Sequence, residues 1–144
     1  MVLILKNARH MVRELKIDNR IVWHGWQKHP WEVVRQDIKK VSALLLTSSL
    51  KGFPMTLLES MSWGIPCISA DCVSGPGDII QPDVNGHLYQ PGDIAGFVTL
   101  LNKYIAGEIH IEHEKIPASI DKFYQSKYYD RLHNIIISAI SRRK

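Results

Sequence analysis

Apolar residues near the start of the chain recur at helical spacing. Ala8, Met11, Val12 and Leu15 share one side of a helix predicted over residues 5–16, and Asp18 and Asn19 then end it. "RIVWHGW" follows, where β-branched Ile21 and Val22 run into Gly25, the pattern of a strand that stops at a glycine. Pro30 suits the first turn of a short helix over 31–38. Residues 41–47 form an apolar run of strand length, as expected for a strand buried on both faces of a parallel sheet.

The alternation continues through the second half. Pro54 to Trp63 reads as a helix that Gly64 ends, and "PCIS" supplies a further strand. In that helix Leu57, Leu58 and Met61 face inward, while Thr56, Glu59, Ser60 and Trp63 make a polar edge. "SGPGDIIQPDVNGHLYQPGD" holds a turn at Asn85 and Gly86 between short strands, one around Ile79 and one over 87–89. Asp93 caps a helix reaching about Ile105, with Ile94, Phe97, Val98, Leu101 and Ile105 on one face. "EIHIEHEKIP" reads as a linker, and Ser119 or Asp121 opens a last helical region to about Ile140. The sum is an α/β fold, an open and mostly parallel sheet with helices on both faces. In such sheets ligands bind beyond the carboxyl ends of the strands, where the loops 24–30, 47–54 and 69–78 fall.

Composition refines this picture only a little. A chain of 144 residues with 45% hydrophobic composition is one domain by length and buries a sizeable core without staples. No apolar run approaches membrane-spanning length, and the N-terminus lacks the basic region and cleavage site of a signal peptide, so a cytoplasmic protein is expected. Cys67 and Cys72 match no common redox or zinc spacing and read as small buried hydrophobes. The net charge of +4 suits phosphorylated ligands, nucleic acid or an anionic membrane surface. Lys and Arg are scattered except at the tail, so no nucleic-acid partner is expected.

The sharpest chemical signal lies in "SLKGFPMTLLESMSWGIPCIS". A strand, a glycine-containing loop and a helix beginning at a proline place unpaired amides and a partial positive charge at the ligand edge, an arrangement that holds a phosphate. Glu59, about one turn further on, is suited to accept hydrogen bonds from vicinal hydroxyls such as those of a ribose. Exposed helix positions carry glutamate routinely, so spacing alone leaves Glu59 open between ligand and plain surface residue.

Together, "KGFPMTLLESMSWGIPCIS", "SGPGDII" and "NGHLYQPGD", in that order, resemble the C-terminal, donor-binding domain of retaining glycosyltransferases of family four. The resemblance runs over about residues 8–108 and implies a Rossmann-like domain, the C-terminal half of a GT-B fold. By position, Glu59 matches the second carboxylate of the family's Glu, seven residues, Glu motif, which binds the ribose. Gly52, Phe53, Pro54, Met55 and Thr56 match the loop and helix start that hold the diphosphate and approach the sugar. Gly25, Trp26 and Gln27 match the loop that brackets the base. Lys51 stands at the catalytic-site position where the family has its first glutamate. An ammonium donates hydrogen bonds and is drawn to the diphosphate, so Lys51 is expected to weaken or redirect sugar recognition and to leave nucleotide binding intact.

The resemblance also implies a UDP-sugar donor and transfer of a hexose, galactose from UDP-galactose, to a lipopolysaccharide core with retention. No cofactor or metal is implied, because the helix end stabilises the leaving diphosphate. The family's acceptor-binding N-terminal domain and the basic pair of its first strand and helix have no counterpart here, with residues 1–5 a possible remnant of that strand. A fragment is therefore expected, inactive alone. It divides into a nucleotide-sugar-binding domain over 1–108, without its first strand, and a linker with a C-terminal helical region over 109–144. An alternative is a stand-alone Rossmann-like nucleotide-binding module without catalytic activity.

Other signals are ambiguous. His110 and His113 with Glu112 and Glu114 have metal-like spacing, but a solvated linker explains them better. Trp23 is expected in the core, Trp26 and Trp31 near the ligand edge, and Asp78 at a helix start. His24 and His29 flank the base loop and read as surface or packing residues. The apolar C-terminal helix with its basic "SRRK" end fits packing on the sheet or on a further domain, with peripheral contact to the inner membrane or self-association as alternatives.

Overall fold

The computed structural model describes residues 2–35, 41–50 and 52–141. Their contacts divide into two units, Met1–Gln36 and Asp37–Lys144. The first holds α1 (Val2–Glu14), a 3-10 turn at Asp18–Arg20 and α2 (Pro30–Arg35). Its first element is a helix from Val2 onward, so residues 2–5 are no remnant of a strand. Nor is "RIVWHGW" a strand. Ile21 has extended backbone angles, φ −124° and ψ 127°, but no strand is described within its unit to supply the hydrogen bonds that make an extended segment part of a sheet.

The second unit is built on β1 (Leu44–Leu46), α3 (Met55–Ser62), β2 (Cys67–Ala70), α4 (Pro76–Ile79), β3 (Gly86–Tyr89), α5 (Ile94–Ile105), α6 (Ile116–Ser119) and α7 (Gln125–Ser141). The strands form a parallel sheet in the order β1-β2-β3, with Leu45 beside Ile68 and Ile68 beside His87. Alternation along β2 assigns its two faces. Cys67 turns toward α3, its thiol reaching the Leu57 carbonyl at 3.9 Å. On the other face, shared by Ile68, His87 and Tyr89, lies α5, with the Tyr89 and Phe97 rings 4.9 Å apart. Helices thus cover both faces, as the alternation implied. The strand over 41–47 shrinks to a three-residue edge strand, paired on one side only among the described residues, and Leu45 is exposed rather than buried.

Three further expectations change. The strand around Ile79 is the single turn α4, since Pro76 at its start fixes a helical φ and Ile79 is fully buried. On α5 Phe97, Leu101 and Tyr104 are half-buried, whereas Ile94, Val98 and Ile105 are exposed. Asp93 caps α5 as expected, its carboxylate accepting from the Gly96 amide at 2.8 Å. The segment read as a linker contributes to the core: Ile111, Ile116 and Ile120 pack with Leu57, Leu58 and Met61. Gly64, at φ 73°, ends α3 so close to this segment that a Cβ there would lie 2.8 Å from the His113 carbonyl oxygen. Along α7, Ile135, Ile136, Ile137 and Ile140 are exposed, as expected of a helix whose apolar side lacks a cover. No described helix is long and apolar enough to cross a membrane.

Asn85 is the polar pivot of this core. Fully buried, it accepts from the Gln81 amide at 2.7 Å and donates to the Ile79 carbonyl at 3.1 Å and to the Ser119 hydroxyl at 2.9 Å. The Ser119 hydroxyl donates in turn to the Ile116 carbonyl at 2.6 Å. One side chain thus ties the end of α4, the turn before β3 and α6 together. Asn85→Ala strands several buried partners at once, and urea unfolding of the variant should show a loss of about 3 kcal/mol, mostly the desolvation of groups left unpaired.

Candidate functional site

The ligand edge of the sheet is formed by the chain leaving β1 toward α3 and the chain leaving β2 toward α4. These two connections are fitted to each other. The Cys72 thiol donates to the Ser48 carbonyl at 3.5 Å. Gly75 has φ 99°, and a Cβ there would overlap the Pro54 ring and lie 2.9 Å from the Gly52 carbonyl oxygen. Glycine is required twice over at this position, by the left-handed backbone and by the approach of the neighbouring loop. Cys67 and Cys72 are both buried and free, as their small-hydrophobe reading requires, and burial pushes the Cys67 thiol up to about 12 with the Ser60 hydroxyl pulling it back.

Pro54 is buried at the N-cap of α3, while Gly52, Phe53, Met55 and Thr56 are exposed around it. The helix end holds fewer open donors than the sequence implies. The Met55 amide donates to the Phe53 carbonyl at 3.1 Å and the Leu57 amide to the Pro54 carbonyl at 3.0 Å. Lys51 lies outside the described residues. Leu57, Leu58 and Met61 are buried as predicted, but Ser60 joins them rather than the polar edge, its hydroxyl donating to the Ile65 carbonyl at 3.4 Å.

Glu59 is exposed. With Met55, Leu58 and Ser62 it lines a shallow cavity of about 190 Å³, closed on the other side by Ile120, Phe123 and Tyr124. Nothing local to Glu59 announces this aromatic wall, because it comes from the C-terminal segment more than sixty residues away. Asp78 stands in the first turn of α4, and its main-chain carbonyl accepts from the Lys122 ammonium at 3.1 Å.

The expected base loop belongs to the N-terminal unit. Gly25 adopts φ 66°, Trp26 is 80% exposed, and the Gln27 side-chain amide donates to the His24 carbonyl at 2.7 Å. His24 and His29 are exposed, and Trp31 is half-buried. Trp23 is not a core residue: it is partly exposed, with the Arg9 guanidinium 5.5 Å from its ring. Arg9 and Arg13, one helical turn apart on α1, line a concavity of about 240 Å³ with Asp18 and Trp23, a basic feature that the sequence reading passed over.

Two polar groupings lie elsewhere. His87 bridges the Tyr104 hydroxyl at 2.7 Å and the Asp83 carboxylate at 3.0 Å, tying β3 to α5 and the preceding turn. Burial, then Asp83, raises the Tyr104 phenol. Glu112, from the metal-like histidine cluster, is paired with Lys115 at 2.8 Å, which holds its carboxyl below the usual range. Among the described residues no group of three His, Cys, Asp or Glu side chains is placed to hold a metal ion.

The chain belongs to the glycosyl transferases group 1 family, whose model matches residues 5–122, and its parallel three-stranded sheet with helices on both faces is in keeping with the GT-B fold of its neighbours. Within that family it is 88% identical over 132 residues to the lipopolysaccharide 1,6-galactosyltransferase of Escherichia coli, and 55% identical over 130 residues to that of Salmonella typhimurium. These matches cover 92% and 90% of this chain but 37% and 36% of the relatives, so the chain spans little more than a third of their length. Among solved structures it is similar to the lipopolysaccharide outer core galactosyltransferase WaaB in its apo form, at 53% identity and a TM-score of 0.88 over 93% of this chain and 38% of that one. At 19% identity, an Anabaena protein crystallised with UDP has the same fold, with a TM-score of 0.76 over 93% of this chain and 36% of that one.

The fit of Gly75 against Pro54 and Gly52 is testable. Gly75→Ala forces the two ligand-edge loops apart, and the expected outcome is a loss of about 2 kcal/mol in chemical denaturation, from the strained φ and the overlap together. Faster amide exchange in residues 52–58 should accompany it.

Proposed function

We propose that this chain is the donor-binding part of a glycosyltransferase that moves a hexose, galactose from UDP-galactose, to the lipopolysaccharide core with retention at the anomeric carbon. The observation that carries the reading is 88% identity, over almost the whole chain, to an enzyme named for 1,6-galactosyl transfer to lipopolysaccharide. The ligand edge is compatible with it. Glu59 accepts the ribose hydroxyls, the Gly52 to Thr56 loop and the positive end of α3 face the diphosphate, and Gly25, Trp26 and Gln27 bracket the base. Charge growing on the leaving diphosphate is met by that helix end, so the chemistry does not call for a metal. The acceptor is engaged by the part of the enzyme that this chain does not span. The setting is cytoplasmic, on the inner face of the inner membrane.

A second reading, a nucleotide-binding module without catalysis, is favoured by one observation, Lys51 in place of the family's first glutamate. Two measurements separate the readings. Calorimetric titration with UDP should show binding that Glu59→Ala weakens about tenfold, the worth of one hydrogen bond from ribose to a carboxylate. Equal affinity for the two proteins removes Glu59 from the site. In the full-length enzyme, turnover of UDP-galactose should rise when Lys51→Glu restores the carboxylate, while affinity for UDP stays the same. Identical turnover with Lys51 and with glutamate contradicts a role for this position in sugar recognition.

A further inference from the structure

Lys122 and Phe123, beyond the segment that the sequence ties to the donor site, touch both ligand-edge connections. The Phe123 ring packs on Phe53 of the first connection, centroids 5.6 Å apart and planes tilted by 55°. The Lys122 ammonium donates to the Asp78 carbonyl at 3.1 Å, in the short helix that ends the second. The same ammonium lies 4.8 Å from the centre of the Phe123 ring, so the two contacts share one cation and one ring. From outside, the Arg131 guanidinium of α7 donates to the Lys122 carbonyl at 2.7 Å and fixes the turn to a long helix. Phe123 and Tyr124 also form the wall of the cavity that Glu59 borders.

We propose that Lys122 and Phe123 are positioning residues for the donor: their turn braces the Gly52 to Pro54 loop and the start of α4 against each other, and thereby sets the affinity of the site for a nucleoside diphosphate. The proposal rests on the donor-site reading above. The physical reason is preorganisation. Phe53 and Gly52 are exposed ahead of a helix of eight residues, so beyond the fit of Pro54 and Gly52 against Gly75 the loop has little packing of its own to hold it. A ring contact and a charge-assisted hydrogen bond from a third segment remove that freedom before the ligand arrives.

The test uses the chain with Phe123→Ala, Phe123→Tyr and Lys122→Met, with UDP as the probe. Phe123→Ala should weaken UDP binding about fivefold, within the range that one aromatic pair supplies. Phe123→Tyr, which keeps the ring, should restore it. Lys122→Met removes an exposed ammonium without a cavity, so its fold is expected to survive, and it should weaken UDP about threefold, the worth of a single hydrogen bond. Amide exchange read without ligand should quicken at residues 52–58 and 76–79 in Phe123→Ala and Lys122→Met alone. Unchanged UDP affinity and unchanged exchange in a folded Lys122→Met overturn the brace, as does a Phe123→Tyr variant as weak as Phe123→Ala. If the unaltered chain does not bind UDP, the donor reading fails separately, and the exchange experiment still decides whether the brace exists.

Discussion

The inner face of α3 is the constraint on which the ligand edge depends. The helix has eight residues, too few to persist in water by its own hydrogen bonds, so its position is dictated by what its side chains meet. Leu57 and Met61 are fully buried between β2 and the Ile111 to Ile120 segment, and each contributes on the order of 2 kcal/mol by leaving water. With that face pinned, Pro54 and the loop before it are held at the carboxyl end of the sheet, and Glu59 is turned outward beside the aromatic wall. A change that loosened the core below α3 would therefore shift Pro54, the loop before it and Glu59 without substituting any of them.

The parallel sheet was legible in the sequence because its signals are local. Pro54 and Gly64 bracket α3, Asp93 caps α5 through the Gly96 amide, and "PCIS" is β2. The failures come from partners that are distant or not described. Ile21 and Val22 have the composition of a strand, but hydrogen bonding to a neighbour is what makes one, and none is described within their unit. Ile79 lies in an apolar stretch that reads equally as strand or helix, and the ring of Pro76 settled it. Ile111 and Ile116 read as part of a connector because charged residues surround them; the chain is extended or tightly coiled there and lets single isoleucines point inward. The candidate site divides in the same way. The position of Glu59 on α3 follows from helical spacing, whereas the Phe123 and Tyr124 wall could not be seen without the fold.

Family membership and the described geometry differ in what they reach. The family model covers residues 5–122, a span that takes in Lys122 but stops short of Phe123 and of α7. The described structure gives the Gly52 to Thr56 loop and the Gly25 to Gln27 loop separately, each with its own local support. Gly75 bolsters the first by admitting Pro54, and the Gln27 side chain closes a turn on His24 in the second.

The inward-pointing isoleucines at 111, 116 and 120 bear on where this polypeptide can be divided. Motif boundaries invite a cut near residue 108, where the recognisable signature fades. A protein engineer who split it there for fragment exchange or chimera building would leave one piece with a bare greasy flank on α3, and the other with a tail that had lost its seat. The practical seam lies well downstream of the last familiar motif.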